Sequence, residues 1–291
     1  MRTYEYLTQM GSVYWPAIVA GVAIALLCAV LSVLVVLKRL AFIGQGVSHA
    51  AFGGIGLAAV LGLAAANLSA GQNAVQFGIV AAFCAAAALL IGGMSGRSGS
   101  GEAATHGDTA IGITLVASMA LGAILARHSR SGISWEAFLF GSLLNTDWTD
   151  AAIAWVVAAV VIVTLWAVRR PLLFWSFDEP ASQAFGVRGA PLRALLMLLL
   201  ALATVTAMRL AGVVIASAML VLPGAIALRM TRSLGRVLIL AGLGAVVGVL
   251  GGLVLSFEAD WPPGPSIVAV LTVLFAAAAV RSAGRRAGAA A

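Results

Sequence analysis

The sequence predicts an all-α membrane protein, a bundle of eight or nine transmembrane helices that forms a single domain over residues 1–291. Hydrophobic residues make up 62% of the chain and charged residues only 9%, whereas soluble domains carry about 25% charged residues. Long apolar runs recur from Val13 to Val280, and they lack the apolar/polar alternation of a membrane β-barrel. The composition therefore excludes a soluble globular domain and predicts a multi-pass helical protein.

Nine runs are long enough to cross the hydrocarbon core, which takes about 20 apolar residues. They are 13–37, 47–66, 73–94, 108–126, 151–168, 191–208, 210–228, 237–256 and 265–280. Residues 133–145 are apolar but short, and we expect an interfacial or re-entrant helix there. Asp108 begins one predicted span, where it would cap the helix. Cys28 and Cys84 lie inside apolar runs, which indicates buried thiols rather than a disulfide or a metal site.

The distribution of cations predicts the orientation in the membrane. An extracytoplasmic N-terminus and a cytoplasmic C-terminus leave only four of the 17 Lys and Arg residues outside: Arg2, Arg127, Arg130 and Arg209. Cations accumulate on the cytoplasmic side of membrane proteins, so this is the topology we expect. In this topology the excess positive charge, +7 for the whole chain, lies on the cytoplasmic face of the membrane. Since no basic, aromatic-rich module accompanies it, nucleic-acid binding is not expected.

The segment Lys38–Gly62 begins with two cations and then becomes almost wholly apolar, yet its apolar part carries Gln45, Ser48 and His49. Small residues repeat every four positions beside them, at Gly46, Ala50, Gly54 and Ala58. This spacing lets helix backbones approach closely in lipid. Polar groups at membrane depth point into a bundle or a polar path, so the three residues are candidates to line a translocation path. The alternative is that His49 hydrogen-bonds a neighbouring helix and only fixes its packing.

Residues 177–187 have the signature of a short capped helix on the side assigned to the cytoplasm. Asp178 can cap a helix whose first turn holds Glu179 and Pro180, and Gly186 can end it. A brief helix between two chain ends can dock on a partner. An ordinary surface helix is the alternative interpretation.

Pro223 predicts an interruption in one of the later spans, because proline lacks an N–H and clashes with the preceding turn. Ser217 and Gly224 lie on the same predicted span. The three residues are therefore a candidate hinge or constriction. A kink that serves packing alone is the other possibility.

The sequence contains no motif for nucleotide hydrolysis. A P-loop places a lysine directly after a glycine, whereas the only lysine, Lys38, follows Leu37. The chain is therefore not expected to be an enzyme. Energy for transport must come from a partner, an ion gradient or downhill flow.

Five segments together resemble the integral-membrane permeases of zinc, manganese and iron ABC importers. They are KRLAFIGQGVSHA (38–50), GDTAIGITLVASMALG (107–122), FDEPASQAFGV (177–187), GVVIASAMLVLPGAIALRMTRSL (212–234) and PPGPSIVAVLTVLF (262–275). They occur in the family's order over nearly the whole chain, which is more specific than any single motif. One position departs from the family pattern, because Gln45 stands where an acidic residue is usual.

The resemblance implies a type II ABC importer fold in the plasma membrane of a prokaryote. It implies a homodimer surrounded by lipid, with an ATP-binding subunit and an extracytoplasmic metal-binding protein as partners. The cargo would be a divalent metal ion, zinc or manganese, and ATP would act only through the partner, with no cofactor bound permanently. Residues 177–187 would be the coupling helix, whose contacts with the ATPase would involve Asp178, Glu179, Ala181 and Gly186. His49 would contact the metal transiently, and neutral Gln45 would contribute little.

Two other transport classes remain open at this point. A stand-alone, ion-coupled secondary transporter would need carboxylates inside the membrane for the coupling ion, and no Asp or Glu lies well inside a predicted span. An ABC permease for a metal chelate is the second alternative, although such chains are usually longer and carry different sequence blocks. An ABC permease for a free metal ion is therefore the preferred interpretation.

Overall fold

The computed structural model describes residues 11–63, 70–95, 103–129, 141 and 143–290, and the regular elements in this part of the chain are all helical. The α-helices are α1 (Gly11–Leu37), α2 (Ile43–Val60), α3 (Ala70–Ser95), α4 (Ala103–Ser129), α5 (Trp148–Ala167), α6 (Arg169–Phe177), α7 (Glu179–Ala184), α8 (Gly189–Met219), α9 (Leu222–Met230), α10 (Leu234–Ala259) and α11 (Pro263–Ala290). The predicted all-α fold class is confirmed.

Eight helical stretches in the described residues are long and apolar enough to cross a membrane. One of them, Gly189–Met230, joins α8 and α9 and has 42 residues. A straight helix of that length would extend about 63 Å, twice the roughly 30 Å of a bilayer core. The predicted runs 191–208 and 210–228 fall on its two halves. The prediction of eight or nine spans is therefore confirmed, and this stretch has the length of two crossings.

Gly212 interrupts α8 between these two halves. Its φ of 86° and ψ of 167° lie outside the helical region, in a conformation that is essentially restricted to glycine. The backbone of Gly141 packs directly against Ala211 and Gly212, so closely that a Cβ atom on Gly141 would overlap them. A glycine is thus needed on each side of this contact, in one case for conformation and in the other for space.

Contacts along the chain group its residues into two compact units. Unit 1 comprises residues 1–41, 139–167 and 206–291, and unit 2 comprises residues 42–138 and 168–205. Unit 1 therefore holds α1, α5, the end of α8 and α9–α11, whereas unit 2 holds α2–α4, α6, α7 and the start of α8. The expectation of a single domain over the whole chain stays a prediction.

In unit 1, α1 packs against α5, α9 and α10. The ring of Tyr14, near the start of α1, lies 5.2 Å from that of Phe257, near the end of α10; we call this the Tyr14 end. At the other end of α1, Val36 lines a cleft together with Arg229 and Ser282; we call this the Val36 end. Since Ser282 lies late in α11, the start of α1 and the end of α11 are at opposite ends of unit 1.

In unit 2, α2 is the central helix and packs against both α3 and α4. The Sγ atom of Cys84 on α3 lies 3.6 Å from the carbonyl oxygen of Val47 on α2. Cys84 is a free, buried thiol, and so is Cys28 in unit 1. The prediction that both are buried thiols is confirmed.

Two local predictions turn out differently. Asp108 does not cap its helix, because α4 already begins at Ala103 and Asp108 lies exposed within it. The predicted interfacial or re-entrant helix at 133–145 falls largely outside the described residues. Only its last residues, Leu143–Asn145, are seen as a helix, and they form one 3-10 turn.

Candidate functional site

His49 lies half-buried on the central helix of unit 2, two turns after the start of α2. Its Nδ1 atom is shielded from solvent and has no hydrogen-bond partner among the described residues. A buried polar atom of this kind costs free energy unless something outside the described contacts satisfies it. The expected interhelical hydrogen bond of a purely packing histidine is therefore not seen at this atom.

The two other polar residues of the segment have different surroundings. Ser48 is fully buried, and its hydroxyl donates to the carbonyl oxygen of Gly44 at 2.6 Å. Gln45 is exposed, one helical turn before His49. Thus Ser48 uses its proton within its own helix, whereas Gln45 and His49 keep polar atoms available on one face.

The predicted row of small residues is buried, and it is only one of two close contacts that α2 makes. All four residues of that row are inaccessible to solvent: Gly46, Ala50, Gly54 and Ala58. A Cβ atom on Gly54 would lie 3.0 Å from the Cα of Val80 on α3. On a second face, a Cβ atom on Gly56 would lie 2.8 Å from the carbonyl oxygen of Gly122 on α4. The sequence pattern of α2 gave no sign of this second contact.

The second face is the one that carries His49. Gly53 and Gly56 follow His49 by four and seven residues, which is the spacing of one helical face. A Cβ atom on Gly53 would lie 3.1 Å from the carbonyl oxygen of Ser118 on α4. His49 is therefore held on a helix whose position is fixed by direct backbone contact on two sides.

The short helix predicted around 177–187 is present as α7. The Asp178 carboxylate accepts a hydrogen bond from the N–H of Ala181 at 2.9 Å, as an N-cap does. Pro180 lies in the first turn, where its missing N–H costs nothing. The chain leaves the helix at Gly186, whose φ is 81°. The predicted cap and helix end are confirmed.

The helix α7 is attached to the first turns of α8 by an ion pair. The Oε1 atom of Glu179 lies 2.7 Å from a guanidinium nitrogen of Arg193, and the same guanidinium lies 5.9 Å from the ring centre of buried Trp175. Ser182 of this segment is buried, whereas Phe177 and Phe185 are 58% and 81% exposed. Both aromatic rings are therefore open to lipid or to a partner.

The three hinge candidates do not share one helix. Ser217 belongs to α8 and donates from Oγ to the carbonyl oxygen of Val214 at 3.0 Å. Pro223 and Gly224 belong to α9, and the helix is interrupted before them. A Cβ atom on Gly224 would lie 2.5 Å from the carbonyl group of Ser32, so Gly224 forms a tight contact with α1. The interruption predicted from Pro223 exists, and it separates Ser217 from Pro223 and Gly224 within the stretch Gly189–Met230. The role of the three residues as a hinge stays a prediction.

An ion pair in unit 1 was not anticipated from the sequence. A guanidinium nitrogen of Arg209, three residues before Gly212, lies 3.2 Å from Oδ1 of Asp150. The N–H of Asp150 in turn donates to the Oδ1 atom of Asp147 at 2.8 Å. The partners are about sixty residues apart in the chain, and no local pattern links them.

The described residues contain no group of three or more His, Cys, Asp or Glu side chains that could hold a metal ion. A stable metal site of this composition is thus not formed by the described part of one chain. A single imidazole can contact a passing ion, whereas tight binding needs further ligands.

Known proteins are similar to the chain over nearly its full length. The manganese transport system membrane protein MntC of Halalkalibacterium halodurans is 34% identical over 279 residues, 96% of this chain and 88% of that protein. The manganese import system permease protein ScaB of Streptococcus parasanguinis is 32% identical over 260 residues, 89% and 87% of the two chains. The solved structure of PsaBC from Streptococcus pneumoniae in complex with Fab superposes with a TM-score of 0.78 at 28% identity, covering 94% of this chain and 93% of that one.

The family model agrees with these relatives. The model of the ABC 3 transport family matches residues 10–282, a range that includes every candidate residue named above. The chain is therefore a member of the ABC 3 transport family.

Proposed function

We propose that the chain is the membrane-spanning permease of an ABC importer that carries a divalent transition metal ion, manganese in the first place. The observation that carries this proposal is the family match over residues 10–282 together with relatives whose names specify manganese transport. These relatives are similar over about nine-tenths of the chain, so the likeness includes both the membrane helices and α7.

The energy for import would come from a separate ATP-binding subunit. The only lysine, Lys38, lies outside any P-loop sequence, so the chain offers no phosphate-binding motif of its own. The exposed aromatic side chains of Phe177 and Phe185 beside α7 suit a groove on such a subunit. Asp178 and Gly186 fix the two ends of α7, which makes it a rigid element for transmitting movement.

The metal path would run along the face of α2 that carries Gln45 and His49. This face packs against α4 at Gly53 and Gly56, but it is more open near the start of α2, where His49 is half-buried and Gln45 exposed. There the two side chains can meet a second copy of the chain across a dimer axis. One imidazole from each copy gives a weak, two-ligand contact. Weak contact suits transport, because an ion held tightly within the membrane leaves slowly.

The distribution of cations and the fold of unit 1 support the proposed orientation. The start of α1 and the end of α11 lie at opposite ends of that unit, which requires an odd number of crossings between them. The Val36 end carries Arg229 and Arg232, in keeping with a cytoplasmic location. We place the N-terminus outside and the C-terminus inside, with an extracytoplasmic metal-binding protein delivering the ion at the Tyr14 end.

The direct test is metal uptake by proteoliposomes that contain the permease and its ATPase. We expect His49→Ala to reduce manganese uptake per folded complex at least about tenfold, the effect of losing a partner in a metal site, while ATP hydrolysis persists. The matched control is His128→Ala. His128 is an exposed histidine near the end of α4 with its Nδ1 atom 3.2 Å from the Ile124 carbonyl oxygen, and its replacement should leave uptake unchanged.

Two outcomes would contradict the proposal. Normal uptake per folded complex by His49→Ala would remove this residue from the path. Uptake that requires an organic chelator around the metal, and fails with the free ion, would instead identify a metal-chelate permease.

A further inference from the structure

Two neighbouring cavities lie at the Val36 end of unit 1, and together they have the form of a site for an amphiphile. The first, which we call the cationic cleft, has a volume of about 720 Å³. Its polar lining is formed by Arg229, Thr231, Arg232 and Ser282. The second, which we call the apolar groove, has a volume of about 260 Å³. Its lining includes Leu240, Leu243, Gly244, Val247, Leu274 and Arg281.

The two cavities adjoin one another. Met230 lines both of them. The lining of the groove includes Arg281, and that of the cleft includes Ser282, the next residue of α11. A polar compartment and an apolar compartment are therefore contiguous at this end of α9, α10 and α11. The only charged residue in the lining of the groove, Arg281, stands beside the cleft.

The described residues do not compensate the charge of the cleft. Neither cavity is lined by a carboxylate, and neither Arg232 nor Arg281 makes an ion pair with a described residue. The guanidinium of Arg229 lies 5.0 Å from the ring centre of Phe275, which orients it without neutralising it. The Thr231 hydroxyl accepts weakly from the N–H of Ser233 at 3.4 Å, so its own proton is available for a ligand.

This arrangement matches the chemistry of one class of ligand. Guanidinium groups bind phosphate oxygens through charge-assisted hydrogen bonds, and basic pockets between membrane helices on the cytoplasmic side bind anionic lipid headgroups. An acyl chain fills an apolar groove that a soluble anion would leave empty. We propose that the cleft and the groove together bind an anionic glycerophospholipid, with its phosphate at Arg229, Thr231 and Arg232 and an acyl chain in the groove.

The test of the headgroup site is native mass spectrometry of the assembled transporter, permease and ATPase together, titrated with phosphatidylglycerol or with phosphatidylcholine of the same acyl chains. We expect phosphatidylglycerol to bind in preference. Arg229→Gln and Arg232→Gln should each weaken its binding about fivefold, since one arginine near a membrane surface contributes about that factor. The matched control is Arg236→Gln. Arg236 is exposed on α10, four residues after Arg232, and lines neither cavity, so this variant should bind phosphatidylglycerol as the unmodified complex does.

The groove has its own pair of variants. A Cβ atom on Gly244 would meet open space in the lining of the groove, so the larger side chain of Gly244→Leu should project into the groove and displace the lipid. A Cβ atom on Gly235, on the same helix, would also meet open space, but Gly235 lies outside the groove, and Gly235→Leu should bind lipid normally. Glycerol phosphate, which lacks acyl chains, should compete poorly in the unmodified complex.

Each contrary result overturns the proposal in a different way. Equal binding of both lipids would show that the headgroup is not recognised. An equal loss of phosphatidylglycerol binding in Arg232→Gln and Arg236→Gln would show that diffuse surface charge attracts the lipid. Full competition by glycerol phosphate, with Gly244→Leu binding normally, would identify a site for a small soluble anion. Lipid that binds the permease alone but is excluded by the ATPase would show that the cleft is a protein interface.

Discussion

Gln45 and His49 are one helical turn apart on α2, and the polarity of the whole face depends on what stands at position 45. An amide brings a neutral oxygen to this face, whereas a carboxylate would add a charge and a stronger ligand for a divalent ion. We expect Gln45→Asp to raise the retention of manganese by the purified transporter about tenfold. The measurement is metal content after desalting, and Gln45→Asn, which keeps the amide, is the control.

Faster release or lower retention in Gln45→Asp than in the unmodified protein would contradict this expectation. It would mean that position 45 faces away from the ion. A loss of uptake alone would not distinguish slower release from misfolding, so folded protein must be quantified in the same samples.

Gly56 is a second position where a single added atom should change the protein, in this case its stability. A Cβ atom there would lie 2.8 Å from the carbonyl oxygen of Gly122, and overpacking of this kind costs about 1–3 kcal/mol. We expect Gly56→Ala to lower the thermal stability of the protein in detergent. Gly78→Ala on α3 is the control, because a side chain there enters open space and alanine is favoured over glycine in a helix by about 1 kcal/mol. Equal stability of the two variants would contradict the close contact of α2 with α4.

The residues of α2 also show how far the sequence reaches at this scale. The small row from Gly46 to Ala58 could be predicted because its period lies within one helix. The contact of Gly56 with Gly122 could not, since its two members lie on different helices and each looks like an ordinary helical glycine. The same reason hides the ion pair of Asp150 with Arg209.

Among the elements, α7 is the one whose attachment is most easily tested. Glu179 pairs with Arg193 at 2.7 Å, and both side chains are part-exposed, so the pair itself adds less than about 1 kcal/mol to stability. Its role would be to set the angle of α7. We expect Glu179→Arg to lower manganese uptake per ATP hydrolysed several-fold, because two guanidinium groups would then repel.

The double variant Glu179→Arg with Arg193→Glu restores the pair in reverse and should recover part of the coupling. Failure to recover would indicate that Glu179 contacts the ATPase itself. Unchanged coupling in the single variant, at normal complex assembly, would show that α7 is a passive surface helix.

The elements also differ in how well local rules predict them. The cap at Asp178 and the end at Gly186 were predictable because both depend on a few adjacent residues. The start of α4 was not, since a cap contributes only about 1 kcal/mol and Asp108 did not prevent the helix from beginning at Ala103. The interruption before Pro223 follows from its clash with the preceding turn, whereas Gly212 had no distinguishing neighbour in the sequence.

For the whole molecule, the fold of unit 1 yields a topology experiment. Ser233 lies in the exposed turn between α9 and α10 at the Val36 end, and Trp261 is exposed between α10 and α11 at the Tyr14 end. Cysteines are introduced singly at these positions in a background of Cys28→Ala and Cys84→Ala. A membrane-impermeant maleimide should label Trp261→Cys in intact cells, and Ser233→Cys only after permeabilisation.

The reverse pattern of labelling would invert the orientation, and labelling of both cysteines in intact cells would contradict the crossing of α10. Composition was sufficient to predict the fold class, because a bilayer core selects long apolar helices. The orientation predicted from the cation distribution stays a prediction that this labelling experiment tests. The grouping of the helices into two units was not predictable. It depends on which helices touch, and in lipid this is decided by shape rather than by hydrophobicity.

The interruption at Gly212 has a consequence for how the protein is made. The two halves of the stretch Gly189–Met230 are separated by one residue rather than by a polar loop. During synthesis, the first half therefore has no polar segment after it that would let it insert into the membrane alone. We therefore expect the two halves to enter the bilayer together, with Arg209 three residues before the interruption at Gly212. Carrying this cation across costs about 2.5–3.5 kcal/mol at the centre of the membrane. Its counter-ion, Asp150, lies on α5, which is synthesised earlier, so we expect α5 to be inserted before Arg209 reaches the membrane.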